Sequence, residues 1–326
     1  MKLPHRRQVL HLGVGVAALP AMSRIARAQG YPSRPVRWIV RFPAGGPDDI
    51  IARLMGQWLS QRLGQPFVIE NRTGAAGNIA TEAVVKSNPD GYTLLLISTP
   101  NAISAAVYEN LNFNFIRDIT PVASLARGLG VMVVNPSFPP KTIPEFIAYA
   151  NANPGKISMA SGGSGSIAHI YGELFKVMSG IDMVHVPYRG TPLAMTDLLS
   201  GQVQVMFDLV GNSIHHIRSG KLRPLGVTAA ARLDLLPDVP AIAEFLPRYD
   251  ASGWQGVGAP KDTPVEVVER LNKEVIAALA DPTIKTRLVE TGYTPTPMSI
   301  PDFKKFIVED TEKWAKVVKF AGIKAE

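Results

Sequence analysis

Four loops rich in glycine and small polar residues carry the groups with which this sequence could do chemistry. Each follows an apolar run and precedes a segment with helical spacing. The first amides of a helix have no partner within the helix, and the peptide dipoles place partial positive charge there. Glycine allows close approach to the backbone, and hydroxyls add donors. The pattern predicts anion binding at residues 42–48, 98–102, 161–166 and 188–192.

A single loop of this kind is more often ordinary turn chemistry than a binding site. One helix N-terminus contributes about 0.3–1 kcal/mol to holding an anion, whereas micromolar binding needs about −8 kcal/mol. Several loops must therefore converge. In open α/β sheets such loops line the crevice beyond the carboxyl ends of the strands, so convergence is expected there.

Three further side chains each keep two interpretations. Asp208 ends the apolar run VQVMFD and either faces the crevice or caps the next helix. His169 lies one turn into the helix after 161–166 and either contacts a bound carboxylate or has a structural role. Arg189 either pairs with a carboxylate or lies exposed at the rim of the crevice.

Most enzyme signatures are absent from the sequence. Ser164 lies in GGSGS, which departs from G-x-S-x-G because Ser166 occupies the last position. The G-x-G at 128–130 precedes its strand and therefore fails the test for a dinucleotide site. The chain has no cysteine, which excludes disulfides and thiol nucleophiles. We expect neither a metal nor a cofactor, and one enzymatic alternative remains: a secreted α/β hydrolase that uses Ser164 or Ser166 with His169.

The first 28 residues read as an export signal. They hold five basic residues and no acid, so removing them lowers the net charge from +7 to +2 and removes most support for a nucleic-acid partner. Arg6 and Arg7 precede an apolar run at 9–22, and Ala-Arg-Ala at 26–28 suits a signal peptidase. The arginine pair also resembles a twin-arginine signal. We expect cleavage after residue 28 and a periplasmic location.

Nine apolar runs predict strands, and they alternate with segments of helical spacing. This βαβα order predicts an α/β fold with mainly parallel sheets. Nine strands exceed the roughly five or six of an average sheet, so we expect two lobes. The predicted strands are 36–42, 67–70, 93–98, 122–125, 131–135, 157–160, 183–188, 203–208 and 222–228.

Helix start and stop signals accompany these runs. Gly64 ends a helix through Ile50 and Leu63, and Ser299 opens the last helix. Two capping boxes are expected, one with Thr142 as the first residue and one with Thr263.

The chain is expected to cross between the lobes twice, near 125–131 and near 245–255. The C-terminal helices would then return to the first lobe and make it discontinuous. We predict lobe 1 at 29–127 plus 250–326 and lobe 2 at 128–249.

Six motifs run in order along the chain after the export signal: VRWIVRFPAGGPDDIIARL, VIENRTGAAGNIA, DGYTLLL, SGGSGSIAH, HVPYRGTPLAMTDLLSGQVQVMFD and GKLRPLGVTAAAR with LPDVP. Together they resemble the substrate-binding receptors of tripartite tricarboxylate transporters, the Bug receptor family. The resemblance implies a two-lobed, type II periplasmic binding protein (Venus flytrap) fold with a two-strand hinge. It also implies closure of the lobes on a carboxylated ligand.

The resemblance assigns ligand contacts to the loops of both lobes, and it gives Asp48 the task of orienting the first loop through hydrogen bonds. The implied contacts of the first lobe are Phe42, Ala44, Gly45, Gly46 and Asp48, and the pattern of the loop at 98–102 adds Thr99 and Asn101. Those of the second lobe are Ser161, Gly162, Ser164, Gly165, Ser166 and His169, with Tyr188, Arg189, Gly190, Thr191 and Asp208 lining the distal pocket.

The implied function is a monomeric receptor that captures a small carboxylate and delivers it to integral-membrane transporter subunits. The ligand class stays open among di- and tricarboxylates, amino acids and aromatic acids. The alternatives are the hydrolase above and a sensor that presents its ligand to a signalling partner.

Overall fold

The computed structural model describes residues 30–108 and 110–322. The predicted export signal at 1–28 lies outside these residues. Within them, no helix has both the length and the apolar character that crossing a membrane requires.

Eleven strands in the described residues form two sheets, and all nine predicted strands are confirmed among them. Sheet A has the order β11-β4-β10-β3-β1-β2, and sheet B has the order β7-β6-β8-β5-β9. The strands are β1 Val36–Val40, β2 Phe67–Asn71, β3 Thr93–Ser98, β4 Ile119–Gly128, β5 Gly130–Val134, β6 Ser158–Ser161, β7 Val184–Pro187, β8 Val205–Leu209, β9 Arg223–Val227, β10 Gly253–Pro260 and β11 Tyr293–Pro295.

Each sheet is mixed, which corrects the expectation of mainly parallel sheets. In sheet A, β1 is parallel to β2 and β3, whereas β10 and β4 run antiparallel to their neighbours. In sheet B, β6 is parallel to β7 and β8, whereas β5 is antiparallel to β8 and β9. Parallel neighbours need a helical crossover between them. No helix lies between β4 and β5, which belong to different sheets, and both strands pair antiparallel with their neighbours.

Eleven α-helices in the described residues connect and cover the sheets. They are α1 Pro47–Leu63, α2 Asn78–Val85, α3 Thr99–Val107, α4 Phe115–Asp118, α5 Ile143–Ala152, α6 Ile167–Ser179, α7 Thr191–Ser200, α8 Val210–Arg218, α9 Val265–Ala280, α10 Pro282–Glu290 and α11 Ile300–Ala321.

Side-chain caps fix two of the predicted helix starts. The Thr142 hydroxyl accepts the Glu145 amide at 3.3 Å, and the Ser299 hydroxyl accepts the amide of Asp302 at 3.2 Å. The expected cap at Thr263 is wrong. Its hydroxyl donates to the Pro260 carbonyl at 2.8 Å, which closes the preceding turn, and α9 begins two residues later.

The chain passes between the sheets twice. Leu129 alone separates β4 from β5, and it bonds on both sides: its amide donates to the Gly292 carbonyl, and its carbonyl accepts the amide of Val210. The second passage leads from sheet B into β10, where the Thr228 carbonyl accepts the Ala251 amide at 2.9 Å. The division of the chain into two lobes stays a prediction.

Helix α11 ties the two sheets together through one buried carboxylate. Asp310 Oδ2 accepts the indole N–H of Trp254 in β10 at 2.7 Å and that of Trp314 at 3.0 Å. Trp314 in turn stacks at 6.1 Å on Tyr171 of α6, which covers sheet B. The C-terminal helix therefore packs on both halves of the fold.

We predict that Asp310→Ala lowers the free energy of unfolding by about 2–4 kcal/mol, because two buried indole N–H groups lose their acceptor. Chemical denaturation of the mature protein measures the change. Glu309→Ala is the matched control: its side chain is 63% exposed, so a change within about 0.5 kcal/mol is expected. Equal losses for the two variants would contradict this role of Asp310.

Candidate functional site

Two of the predicted loops lie side by side at one edge of sheet A. Strands β1 and β3 are parallel neighbours, so their carboxyl ends open at the same edge. Residues 42–48 follow β1, and residues 98–101 follow β3. The Ser98 hydroxyl lies 3.4 Å from Asp48 Oδ2 and joins the two loops directly.

The carboxylate that orients the first loop is Asp49, which corrects the assignment to Asp48. Asp49 Oδ2 accepts the Gly45 amide and Arg53 Nε, each at 2.8 Å, while Oδ1 accepts Asn71 Nδ2 at 3.0 Å. Burial alone would raise the pKa of Asp49, but the hydrogen bonds from Arg53, Gly45 and Asn71 hold it below its usual range. Gly45 has φ +81°, a conformation that favours glycine. Asp49 therefore holds the loop from its buried side, while Ala44 and Gly45 are exposed.

The polar side chains of the second loop hold the loop itself. The Thr99 hydroxyl accepts the Trp254 amide at 2.9 Å. Asn101 accepts the Ser98 amide through Oδ1 and donates to Thr81 through Nδ2, each at 2.9 Å. Their predicted contact with a ligand stays a prediction.

The two remaining loops meet at the edge of sheet B, since β6 and β7 are parallel neighbours. Gly162 lies so close to Thr191 that a Cβ on it would be 3.0 Å from the Thr191 hydroxyl and 3.1 Å from its amide nitrogen. Ser166 caps α6 by accepting the His169 amide at 3.4 Å. Ser164, Gly165 and Ser166 are half-buried. The loops therefore present a shared, partly open rim.

A stacked pair of histidines supports this rim. The rings of His169 and His185 lie 3.6 Å apart and nearly parallel, at 3°. His169 Nδ1 accepts the Gly165 amide at 3.0 Å, so the proton of the neutral ring is on Nε2, which lies 3.7 Å from the Glu173 carboxylate. His185 Nε2 is 2.6 Å from the Ser161 hydroxyl. Sequence reasoning missed His185, and its position between two apolar residues of β7 gave little signal.

The histidine geometry does not favour the hydrolase alternative. The ring nitrogens of His169 face Gly165 and Glu173, and the Ser166 hydroxyl binds its backbone amide. Ser161, which contacts His185, is fully buried. In the described part of the chain, no three histidine or acidic side chains gather where they could hold a metal ion.

The residues predicted to line the distal pocket differ in their hydrogen bonds and their exposure. Asp208 accepts Asn212 Nδ2 at 3.0 Å and the Ser213 hydroxyl at 2.7 Å, so it binds side chains of α8 and does not cap that helix, whose N-cap Leu209 has no side-chain cap bond. Its predicted place in the distal pocket stays a prediction. The Tyr188 hydroxyl donates to Asp197 at 2.6 Å, and burial followed by that carboxylate raises the pKa of Tyr188 to about 12. Arg189 is exposed, as its rim interpretation has it.

The loop regions of the two sheets meet at the first residue of β10. A Cβ placed on Gly253 would lie 3.6 Å from the Thr99 hydroxyl, 3.2 Å from Ile167 Cδ1 and 3.0 Å from the Tyr171 hydroxyl. Thr99 is the first residue of α3, and Ile167 is the first residue of α6. The first residues of two helices, one beside each sheet, thus place their side chains near the same point.

Buried charged and polar groups lie between the sheets at this level. Burial raises the pKa of Tyr293, and the carboxylates of Asp48 and Asp208 raise it further. Asp48 lies beside sheet A and Asp208 lies in sheet B, so charges from both sheets act on this hydroxyl. Burial also raises the pKa of Asp48, which the Arg41 cation opposes. Arg41 was visible in the sequence as a charge ending an apolar strand. Tyr293 lies in β11, a three-residue strand that no pattern in the sequence predicted.

Comparisons with known proteins fit this geometry. The sequence profile described as "Tripartite tricarboxylate transporter family receptor" matches residues 51–323. The structure of Rpa4515 from R. palustris with adipate is 36% identical, with a TM-score of 0.83, and the match covers 90% of this chain and 100% of that one.

Two further solved structures share the fold. The periplasmic binding protein BugD is 33% identical with a TM-score of 0.80, and the match covers 90% of this chain and 100% of BugD. MatC from Rhodopseudomonas palustris with bound malate is 33% identical with a TM-score of 0.79, and the match covers 88% of this chain and 100% of MatC.

These matches extend over nearly all of the described residues and confirm the predicted α/β fold of periplasmic binding proteins. The profile match also agrees with the six motifs that carried the resemblance. The chain belongs to the receptor family of tripartite tricarboxylate transporters.

Proposed function

We propose that this protein captures a small carboxylate between two lobes and delivers it to integral-membrane transporter subunits. The observation that carries the proposal is that the first residues of two helices, Thr99 and Ile167, both lie beside Gly253. One belongs to α3, from the lobe at 29–127 plus 250–326, and the other to α6, from the lobe at 128–249. Both ends favour negative charge.

The chemistry of the rims suits a carboxylate. The loop at 161–166 offers backbone amides and the Ser164 and Ser166 hydroxyls, and the loop at 42–48 offers the exposed backbone around Gly45. Hydrogen bonds to a charged acceptor are roughly twice as strong as neutral ones. The adipate and malate bound by two structural relatives are small carboxylates of this kind.

Closure follows from the placement of these donors on two sheets. A ligand shifts a conformational equilibrium only by binding one state better than the other. A carboxylate that contacts both 42–48 and 161–166 binds best when the lobes are together. The passages at Leu129 and before Gly253 give the chain two places to bend.

Family members include periplasmic binding proteins. The basic, apolar leader at 1–28 supports export of this chain to the same compartment, by the general or the twin-arginine route. Delivery to a membrane transporter rests on the family and on this location.

We predict that the mature protein binds at least one of a panel of mono- and dicarboxylates in isothermal titration calorimetry. Changing Ser164 and Ser166 together to alanine should weaken that affinity at least about tenfold, because each bond to a charged group contributes about 1.5–3 kcal/mol. The lost cap at Ser166 should lower the unfolding free energy by only about 1 kcal/mol.

Ser179→Ala at the other end of α6 is the matched control, and its carboxylate affinity should equal that of the wild type. The Ser179 hydroxyl binds the Phe175 carbonyl within the helix. A protein that binds sugars or cations and no carboxylate would defeat the proposed function.

We predict that Asp49→Ala weakens carboxylate affinity and lowers the unfolding free energy by about 1–3 kcal/mol at neutral pH, since Gly45 and Asn71 lose their acceptor. The pKa of Asp49 is lowered in the folded protein, so its contribution is present above the unfolded value of about 3.9. It is lost as pH falls through the lower folded pKa. The difference between wild type and variant should therefore shrink only in that acidic range.

Glu82→Ala serves as the control for this measurement. It removes another i,i+4 ion pair, with Lys86, on a more exposed surface. Little or no change in the unfolding free energy is expected, because solvent screens an exposed ion pair. If Asp49→Ala behaves like this control in both stability and affinity, Asp49 does not hold the loop.

We predict that the carboxylate-loaded protein copurifies with transporter membrane subunits from solubilised membranes of the host, and that the ligand-free protein does so less. Loading favours the closed form, and only that form presents both lobes together. Capture of a histidine kinase in place of transporter subunits would instead support the sensor alternative.

A further inference from the structure

Arg41 directly follows strand β1, and its side chain is a buried cation without hydrogen bonds. The residue is 1% exposed, and none of its three guanidinium nitrogens has a hydrogen-bond partner among the described residues. The guanidinium packs over the ring of Phe42, whose centroid lies 4.5 Å from Arg41 Cζ. Buried charged groups are normally paired, since desolvation without compensation is expensive. The fold alone does not explain this side chain.

The guanidinium remains charged in spite of its burial. Burial lowers the pKa of Arg41 to about 10, and the nearby Asp48 and Tyr108 oppose that shift. At neutral pH the group is therefore still protonated. Asp48 acts on it through space and does not hydrogen-bond to it.

A second donor without a hydrogen-bond partner lies one residue after Gly77, the glycine that packs on Arg41. Gly77 packs on the arginine stem: a Cβ there would lie 2.8 Å from Arg41 Cβ and 3.1 Å from Nε. Asn78 follows as the first residue of α2, is 6% exposed, and its Nδ2 has no hydrogen-bond partner among the described residues. All four unpartnered atoms are donors, so the partner they lack is an acceptor.

The environment of this pair favours an anion that enters from outside. Gly77 caps α2 without a side-chain acceptor, so the helix end keeps its partial positive charge. Ile79, one residue further, is 51% exposed, which places the helix end at the surface. Phe42, against which Arg41 stacks, opens the loop at 42–48 and lies beside the proposed carboxylate site.

We propose that Arg41 and Asn78 form a second carboxylate subsite, so that this receptor selects dicarboxylates over monocarboxylates. This inference rests on the proposed function, because it concerns the far end of the same ligand. One carboxylate occupies the rim formed by 42–48 and 161–166, and the other accepts from Arg41 and Asn78. Arg41 acts here as the residue that determines specificity.

The test compares matched acids that differ in one carboxyl group: succinate with butyrate, and adipate with hexanoate. In calorimetry at constant ionic strength, wild-type protein should bind the better diacid at least about tenfold more tightly than its monoacid, as expected for charge-assisted hydrogen bonds. Arg41→Gln should reduce that ratio to within about threefold. Arg41→Lys should keep part of the preference, because it keeps the charge but not the planar fork.

Two further variants make the comparison robust. Asn78→Asp provides an internal carboxylate for Arg41, so the preference for diacids should disappear in a stably folded protein even if Arg41→Gln melts early. Arg37→Gln, in β1 just before Arg41, is the matched control: its side chain is 48% exposed and pairs with Glu70, so the ratio should not change.

The outcomes separate this inference from the proposed function. Equal wild-type affinity for diacid and monoacid, or a preference that survives in both Arg41→Gln and Asn78→Asp, overturns the second subsite and leaves carboxylate capture intact. If none of the four acids binds and other carboxylates also fail, both proposals fall.

Discussion

The site depends on one steric constraint: the start of β10 must pass between two helix N-termini with no side chain of its own. Gly253 meets this constraint, with the Tyr171 hydroxyl, Ile167 and the Thr99 hydroxyl all within reach of any Cβ placed there. The same passage carries the chain from sheet B back to sheet A. The crossing between the sheets and the packing of the first residues of α3 and α6 are therefore set at a single point, and a larger residue there would push these elements apart.

Adjacent carboxylates at the start of α1 show how environment divides similar groups into different roles. Asp48 is removed from water, and burial raises its pKa. Asp49 receives three hydrogen bonds, and its pKa falls in spite of its burial. One residue thus belongs to the interior between the sheets, while the other holds the outer loop in shape. Charge near Arg41 is balanced partly through space, which leaves the guanidinium N–H groups without a hydrogen-bond acceptor.

Local patterns in the sequence were enough to locate most of the fold and the loops of the site. All nine predicted strands exist because apolar runs bounded by glycine and proline specify buried strands. Strand direction was not predictable in the same way, since it depends on where the chain crosses between sheets, as at Leu129. Nor could the sequence distinguish Asp48 from Asp49, because both follow the same glycines. The stacking of His169 on His185 joins residues from different elements and leaves no periodic signal.

The bonding of Trp254 has an optical consequence. Its backbone amide is held by Thr99 at the N-terminus of α3, and its indole is held by Asp310 of α11. It also packs edge-on against Phe303 at 5.7 Å. Because this fluorophore directly follows Gly253, a displacement of the helix ends around that residue changes its surroundings. The protein therefore contains an intrinsic spectroscopic reporter at the place where the chain passes from sheet B to sheet A.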